Sequence, residues 1–451
     1  MIKKYYKSII KYSLLFIYFF LCLTIFYNIN RNDLYANYGF SYALSIGEIP
    51  YNDYNLVIPL FSPFLYSIGL LLSKSIIIIY LEQSLLLCIL MYYIFKMIGN
   101  KAYILLFFLA MPYPISFSST IFPGYNYLSF LFLIILIYLE KEQKNDYLIG
   151  LILGLLLITK QTVGVVLFIP TLFYLFKDKN KFIKRFLIAL IPVVLFLLYL
   201  LITKSLPNFI NLCLLGLFDF SQSNSHISIF YLLLMITGII YLIFRVIKDK
   251  KNIINYYLLL FSIICFPIID FYHVSYFLLG IIFIILNDYN KKIPNNIYKY
   301  LVLFTISISL IFFYKIYNTY NIKFKNYHNF PFSFVNNYID NNVKGINSYI
   351  NKSNKRVIYL MKGSENYFYK ISHDLKLDYY DLCNYGNYGY HGVEKIVNKL
   401  ENEHDVLIVL DSSLLKNNSP NQQYIIELAN TTINTSIKVK TINQYEIYYK
   451  E

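Results

Sequence analysis

The chain has 451 residues, of which 57 % are hydrophobic and only 14 % charged, and its mean hydropathy is +0.50. A soluble globular domain carries roughly 25 % charged residues, so an ordinary soluble enzyme and a disordered chain are both excluded. The net charge of +15 would suit a nucleic-acid surface if Lys and Arg formed one patch, but they fall between apolar runs, as in a polytopic membrane protein.

The N-terminus, Met1-Ile-Lys-Lys-Tyr-Tyr-Lys7, is basic and leads into an apolar run to Tyr27 with no small-residue cleavage site after it. This predicts an uncleaved first span with a cytoplasmic N-terminus. A long outer loop, 28–75, follows. Residues 33–46 carry an apolar stripe with helical spacing, flanked by Leu34, Tyr38, Tyr42, Leu44 and Ile46, which predicts a helix on the membrane surface. Val57 to Leu72 is apolar but short and holds Pro59 and Pro63. If it crossed, every later loop would change sides, so a juxtamembrane or re-entrant helix is expected.

Further spans are expected at 76–95, 102–117, 126–139, 147–159, 163–176, 186–203, 227–244, 254–268, 274–287 and 299–316, about eleven in all, given that a crossing helix takes ~20 residues. Three basic connections then face the cytoplasm: Lys177 to Arg185, Arg245 to Lys251, and Lys291 to Lys299. Residues 318–451 are polar. Strands are expected at 356–361, 406–410, 436–441 and 446–449, with amphipathic helices at 393–401 and 422–429, hence a small extracytoplasmic α/β domain after a transmembrane domain 1–317. Cys22, Cys88 and Cys265 fall in apolar runs. No structural disulfide is expected, with Cys213/Cys383 the one conceivable pair.

Ionisable groups gather at the outer ends of the spans. Asp33 lies just beyond the first span; by position it is either a helix N-terminal acid or a functional carboxylate. Lys160 and Gln161 stand at a turn between two spans. Lys160 is either a snorkelling interfacial lysine or one that answers an anionic partner, since the outer side disfavours Lys. Asp270 and His273 share a helical face by their spacing of three, as a structural pair or as part of a site. Glu82 is near the outer end of the second span and either pairs with a cation or sits in the headgroups. There is no HExxH, CxxC pair, Walker loop or GxSxG, so metalloprotease, ATPase and serine-hydrolase readings are poor.

Asp33, the stretch Gly47-Glu-Ile-Pro-Tyr-Asn-Asp53 and the Pro59-Leu…Pro63 helix resemble the first extracytoplasmic loop of the GT-C membrane glycosyltransferases, and most closely the protein-mannosyltransferase and aminoarabinose-transferase-like bacterial members. Lys160-Gln161 before a Gly-containing span, and Pro267…Asp270-x-x-His273, are similar to bacterial members too. Many members carry Asp-Glu where this chain has Asp33-Leu34.

The resemblance implies a polytopic α-helical enzyme of the cell membrane. It would move a sugar from a polyprenyl-phosphate carrier, a membrane lipid, to a glycan, lipid or protein acceptor at the outer face; nucleic acid is not a partner. Asp33 would be the base, and Asp53 would orient the acceptor or join Asp33 on a divalent metal, Mg or Mn. Lys160 first and His273 second would meet the departing phosphate, with Gln161, Asp270 and Glu82 in support. The rival readings are a polysaccharide flippase or transporter, which favours charges near the midplane, and a surface-polysaccharide polymerase or ligase.

Overall fold

The computed structural model describes residues 2–26, 32–110, 121–143, 145–224, 227–288, 300, 307, 341–350, 353, 355–360, 370, 375–381, 387–416 and 423–451. The eleventh expected span (299–316), the basic connection 291–299, the second half of span 102–117 and Cys383 lie outside them, apart from Tyr300 and Ser307. The chain folds as two compact units that do not follow a linear division at residue 317. The first takes residues 1–30, 77–198 and 226–326; the second takes 31–76, 199–225 and 327–451.

The first unit is helical. Its elements are α1 (Ile2–Phe26), α4 (Ile76–Ile98), α5 (Ala102–Ala110), α6 (Tyr125–Lys141), α7 (Asp146–Leu157), α8 (Gln161–Lys177), α9 (Lys179–Ile202), α12 (Ile229–Lys248), α13 (Ile253–Leu260) and α14 (Phe271–Asp288). Among the described residues four helices are long and apolar enough to cross a membrane: Ile76–Leu106, Lys179–Ile202, Ile229–Lys248 and Phe271–Asp288. On α12, Ile229, Phe230, Leu233, Ile236, Ile240, Ile243, Phe244 and Ile247 are all exposed. A continuous apolar face of that size would aggregate in water and suits contact with lipid. The expected span 254–268 differs. Its α-helix ends at Leu260, and a 3-10 turn, Phe261–Cys265, carries the chain to the start of α14.

Helices α7 and α9 touch backbone to backbone. Gly150 and Gly154 share one face of α7, and a Cβ on them would lie 2.5 Å from the Arg185 carbonyl and 2.3 Å from the Ala189 carbonyl. This is the small-xxx-small device that lets membrane helices approach closely.

The second unit assembles α2 (Asn32–Ser45), α3 (Phe61–Leu70), the segment α10 (Leu206–Phe209) to α11 (Gly216–Asn224), and the C-terminal residues. Helix α2 matches the expected 33–46, but its stripe is not bare to a membrane. Tyr38 and Tyr42 are fully buried, and the Tyr38 hydroxyl donates to the Lys74 carbonyl. Ten-residue α3 spans about 15 Å at 1.5 Å per residue, about half a bilayer core. It keeps Phe64 and Ile68 exposed.

The C-terminal region holds strands β1 (Arg356–Leu360), β2 (Val406–Asp411), β3 (Ile437–Ile442) and β4 (Tyr445–Lys450) in the order β1-β2-β4-β3. β1 and β2 run parallel; the other pairs are antiparallel. Period-two alternation sends Ile358, Leu360, Ile408 and Leu410 to one face, with α16 (Gly392–Glu401) and α17 (Gln423–Thr435). Tyr359, Leu407, Val409 and Ile447 go to the other, with α15 (Asn341–Ile350). Full burial of each Leu or Ile contributes roughly 1.5–3 kcal/mol. β2 is buried throughout, as a central strand should be, whereas edge strand β3 is exposed and carries Lys438 and Lys440.

Candidate functional site

Each unit holds one group of polar side chains that can bind or react. In the first unit the group is built on the turn between α7 and α8. Lys160 is the N-terminal cap residue of α8, half-buried, in extended conformation. Its Nζ donates to Asn126 Oδ1 (2.8 Å) and toward the Ile264 carbonyl (3.5 Å), and lies 5.4 Å from the centre of the Tyr125 ring. All are neutral. Removing an ammonium from water without a counter-ion in contact is costly, and an arriving anion would recover that cost.

The start of α14 lies in the same unit. Asp270 Oδ1 accepts from the His273 backbone N–H (2.9 Å), the bond of a helix N-cap, and meets His273 Nδ1 at 2.8 Å. The structural reading of this pair is therefore realised, and it also orients the ring. Nε2 takes no hydrogen bond among the described residues, and the side chain is 11 % exposed. Through-space attraction links Asp270 to Lys160. Gln161 opens α8 beside Lys160, and Glu82 is half-buried in the second turn of α4.

A second ionic group occupies the other end of the same helices. Fully buried Arg185 donates to both oxygens of Glu140, at the end of α6, and to Asp146 Oδ1 (2.8 Å), at the start of α7. Tyr257 adds a bond to Glu140 (3.2 Å). This corrects one expectation: Arg185 is no solvated loop charge but lies inside α9, which begins at Lys179 rather than 186.

In the second unit Asp33 falls in the first turn of α2, the position of a helix N-terminal acid. Asp53 is exposed, and its Oδ2 accepts from the Ile49 N–H (2.7 Å), closing the Gly47–Asp53 turn. Asn52 fixes that turn through the Thr203 carbonyl (2.7 Å) and Asn208 (2.9 Å). Cys213 remains a thiol, donating to the Leu56 carbonyl (3.2 Å).

Glu48 is a residue that sequence reasoning passed over. It is 5 % exposed; Oε2 accepts from the Leu377 N–H (3.3 Å), while Oε1 is buried with no hydrogen-bond partner. Burial pushes its carboxyl up to about 7, against the opposing pull of the Leu377 N–H and Lys370. Its signal in the sequence was an acid between Gly47 and Ile49-Pro50, where a solvated loop acid needs no such apolar neighbours. Glu48 and Asp53 line a cleft of about 920 Å³ together with Lys370, Lys376, Asp378 and Lys399.

No three His, Cys, Asp or Glu side chains converge among the described residues. A divalent ion of the Mg type takes several oxygen ligands, and Asp53 already commits one oxygen to the turn. The described residues hold no such cluster of ligands, and no step below runs through a metal.

No family model and no curated protein matches the chain. Among solved structures, the crystal structure of ArnT from Cupriavidus metallidurans in the apo state matches with a TM-score of 0.53 and 11 % identity, covering 98 % of each chain. The protein shares the overall fold of that ArnT structure, and the resemblance drawn from the outer loop had pointed to aminoarabinose-transferase-like proteins. At that identity the likeness is one of fold, and function has to be argued from the site.

Proposed function

We propose that this protein is an integral-membrane glycosyltransferase that moves a sugar from a polyprenyl-phosphate donor to an acceptor at the outer face of the membrane, with inversion. The reading keeps the eleven crossings and the outward placement of residues 318–451. What carries it is one arrangement: a half-buried ammonium bonded only to neutral oxygens, with an Asp-oriented His in the same unit, in a chain with the fold of ArnT. A flippase favours charges at mid-helix, whereas Lys160 stands at the junction of two helices.

In the proposed reaction an acceptor hydroxyl attacks the anomeric carbon, and Asp33 takes its proton. The bond from that carbon to the phosphate oxygen breaks, and the lipid phosphate leaves with the electron pair. Lys160, with its charge already desolvated, is the group suited to meet that phosphate, and His273 Nε2 is the second. Asp53 orients the acceptor.

The test is transfer by purified protein in lipid nanodiscs supplied with polyprenyl-phosphate sugars. Asp33→Asn keeps shape but cannot take a proton. Its kcat is expected to fall about 10²–10⁴-fold with donor binding retained. Near-wild-type transfer by this variant would remove Asp33 as base and shift the assignment to Asp53. Rescue of Asp53→Asn by Mg²⁺ or Mn²⁺ would assign Asp53 to a metal instead.

A further inference from the structure

We propose that the cleft of the second unit is the acceptor site and takes a sugar acid, a polyhydroxylated ring bearing a single carboxylate; this rests on the transfer reading above. The cleft, about 920 Å³, has the size of small-molecule sites, roughly 300–1,000 Å³. Its walls differ in character. The outer loop contributes the carboxylates Glu48 and Asp53, and the C-terminal region contributes mostly cations, with the carboxylate Asp378 beside Lys370.

Most of those cations are already neutralised. Lys355 pairs with Asp405, Arg356 with Glu403 (2.8 Å), and buried Lys370 with Asp381 (2.6 Å) and Asp378 (3.2 Å). Lys376 and Lys399 are the lining cations with no ion pair among the described residues, and both are exposed. Lys399 lies 3.3 Å from the centre of the Tyr379 ring, and the ring also lines the cleft. That stacking limits where the lysine head can go.

The unpaired groups dictate the ligand. Carboxylates are acceptors, and hydroxyls are the donors that suit them. Glu48 Oε1 has no partner, which is costly for a buried polar atom unless a ligand supplies one. Two lysines opposite call for an anion. Asp53 opposes a second negative charge. Asp53 and the second carboxylate around Lys370 offset part of the charge of Lys376 and Lys399, so the cleft carries at most a single positive charge in excess. A monoanionic carboxylate balances it; a dianionic phosphate overshoots.

The experiment is calorimetric titration of the full-length protein in nanodiscs, without donor, using glucuronate, glucose and glucose 6-phosphate as probes. Glucuronate is expected to bind at least 10-fold more tightly than glucose and more tightly than glucose 6-phosphate. In a Lys376→Gln/Lys399→Gln double variant its affinity should fall to that of glucose, with glucose unchanged; both lysines are exposed, so the melting temperature should hold. Equal binding of glucuronate and glucose, preference for the phosphate, or unaltered glucuronate affinity in the double variant would each overturn the proposal. Because donor is absent, a negative result beside intact transfer removes only the acceptor assignment. Glucuronate binding by a protein that transfers nothing removes the transfer reading and leaves the binding site.

Discussion

Arg185 and Lys160 are both cations drawn out of water in the same bundle, and their surroundings differ in kind. Arg185 is enclosed by two carboxylates, one of which also accepts from Tyr257, at the end where α6 finishes and α7 begins. Lys160 meets only neutral oxygens and a ring where α6 begins and α7 has finished. A buried cation with its full set of anions has nothing left to offer a ligand. One held by neutral groups is stable enough to persist and still short of an anion. Burial alone therefore does not separate a structural charge from a functional one; the partners do.

The comparison breaks most visibly at Arg185. Arg185→Ala leaves Glu140 buried without its counter-charge, and we expect a loss of about 3–5 kcal/mol, read as a lowered melting temperature in detergent. Replacing Arg185, Glu140 and Asp146 together by apolar residues of similar volume should recover most of that loss. If the single variant were as stable as wild type, the enclosed cation would not be a structural lock.

Next in size is the helix contact that carries Arg185. Gly154→Ala would press a Cβ onto the Ala189 carbonyl and is expected to cost about 1–3 kcal/mol through separation of α7 from α9. Thermal unfolding measures it, and an unshifted transition would contradict the close approach.

Glu48 sharpens the contrast from the acidic side. Its carboxyl sits at about 7 in the fold against an ordinary 4.5, raised by burial and by Asp53 and lowered by the Leu377 N–H, Lys370 and Lys376. The fold thus binds more protons than the unfolded chain between those values, and stability falls as pH rises from about 4.5 to 7. The penalty at pH 8 is at most about 3 kcal/mol. Glu48→Gln removes it, so the variant's melting temperature should be flatter than wild type from pH 5 to 8. Parallel curves for the two proteins would count against a buried, protonated Glu48. The smallest effect on stability is expected at Lys160, where Ala substitution loses the ammonium's bond to Asn126 but also removes a partly desolvated charge with no counter-ion in contact, so the two largely cancel.

Much of this fold was legible in the sequence because local pattern and burial agree in it. All four expected strands appear within two residues of their expected bounds, and the short continuous apolar runs in Arg356–Leu360 and Val406–Asp411 are what a sheet covered on both faces requires. Lys160, Asp270 and His273 drew notice because a charge beside an apolar run stands out, and the spacing of three anticipated the Asp270–His273 pair. Arg185 misled: it follows four lysines in a basic connection, and only the distant Glu140 and Asp146 reveal it as buried. Glu48 was passed over for a related reason. Its environment is made by Leu377, Lys370 and Lys376, more than three hundred residues away in the chain. The apolar stripe of α2 was read as lipid-facing for want of knowing that the second unit would cover Tyr38 and Tyr42.

The central claim is that Lys160 is held ready for the phosphate of a lipid-linked sugar, and donor affinity tests it most directly. Equilibrium binding of a polyprenyl-phosphate sugar should be measured for wild type and Lys160→Ala in nanodiscs, alongside their melting temperatures. The account predicts affinity at least about 10-fold weaker, the equivalent of about 1.4 kcal/mol, with the melting temperature nearly unchanged. Equal affinity in a well-folded Lys160→Ala protein would contradict it.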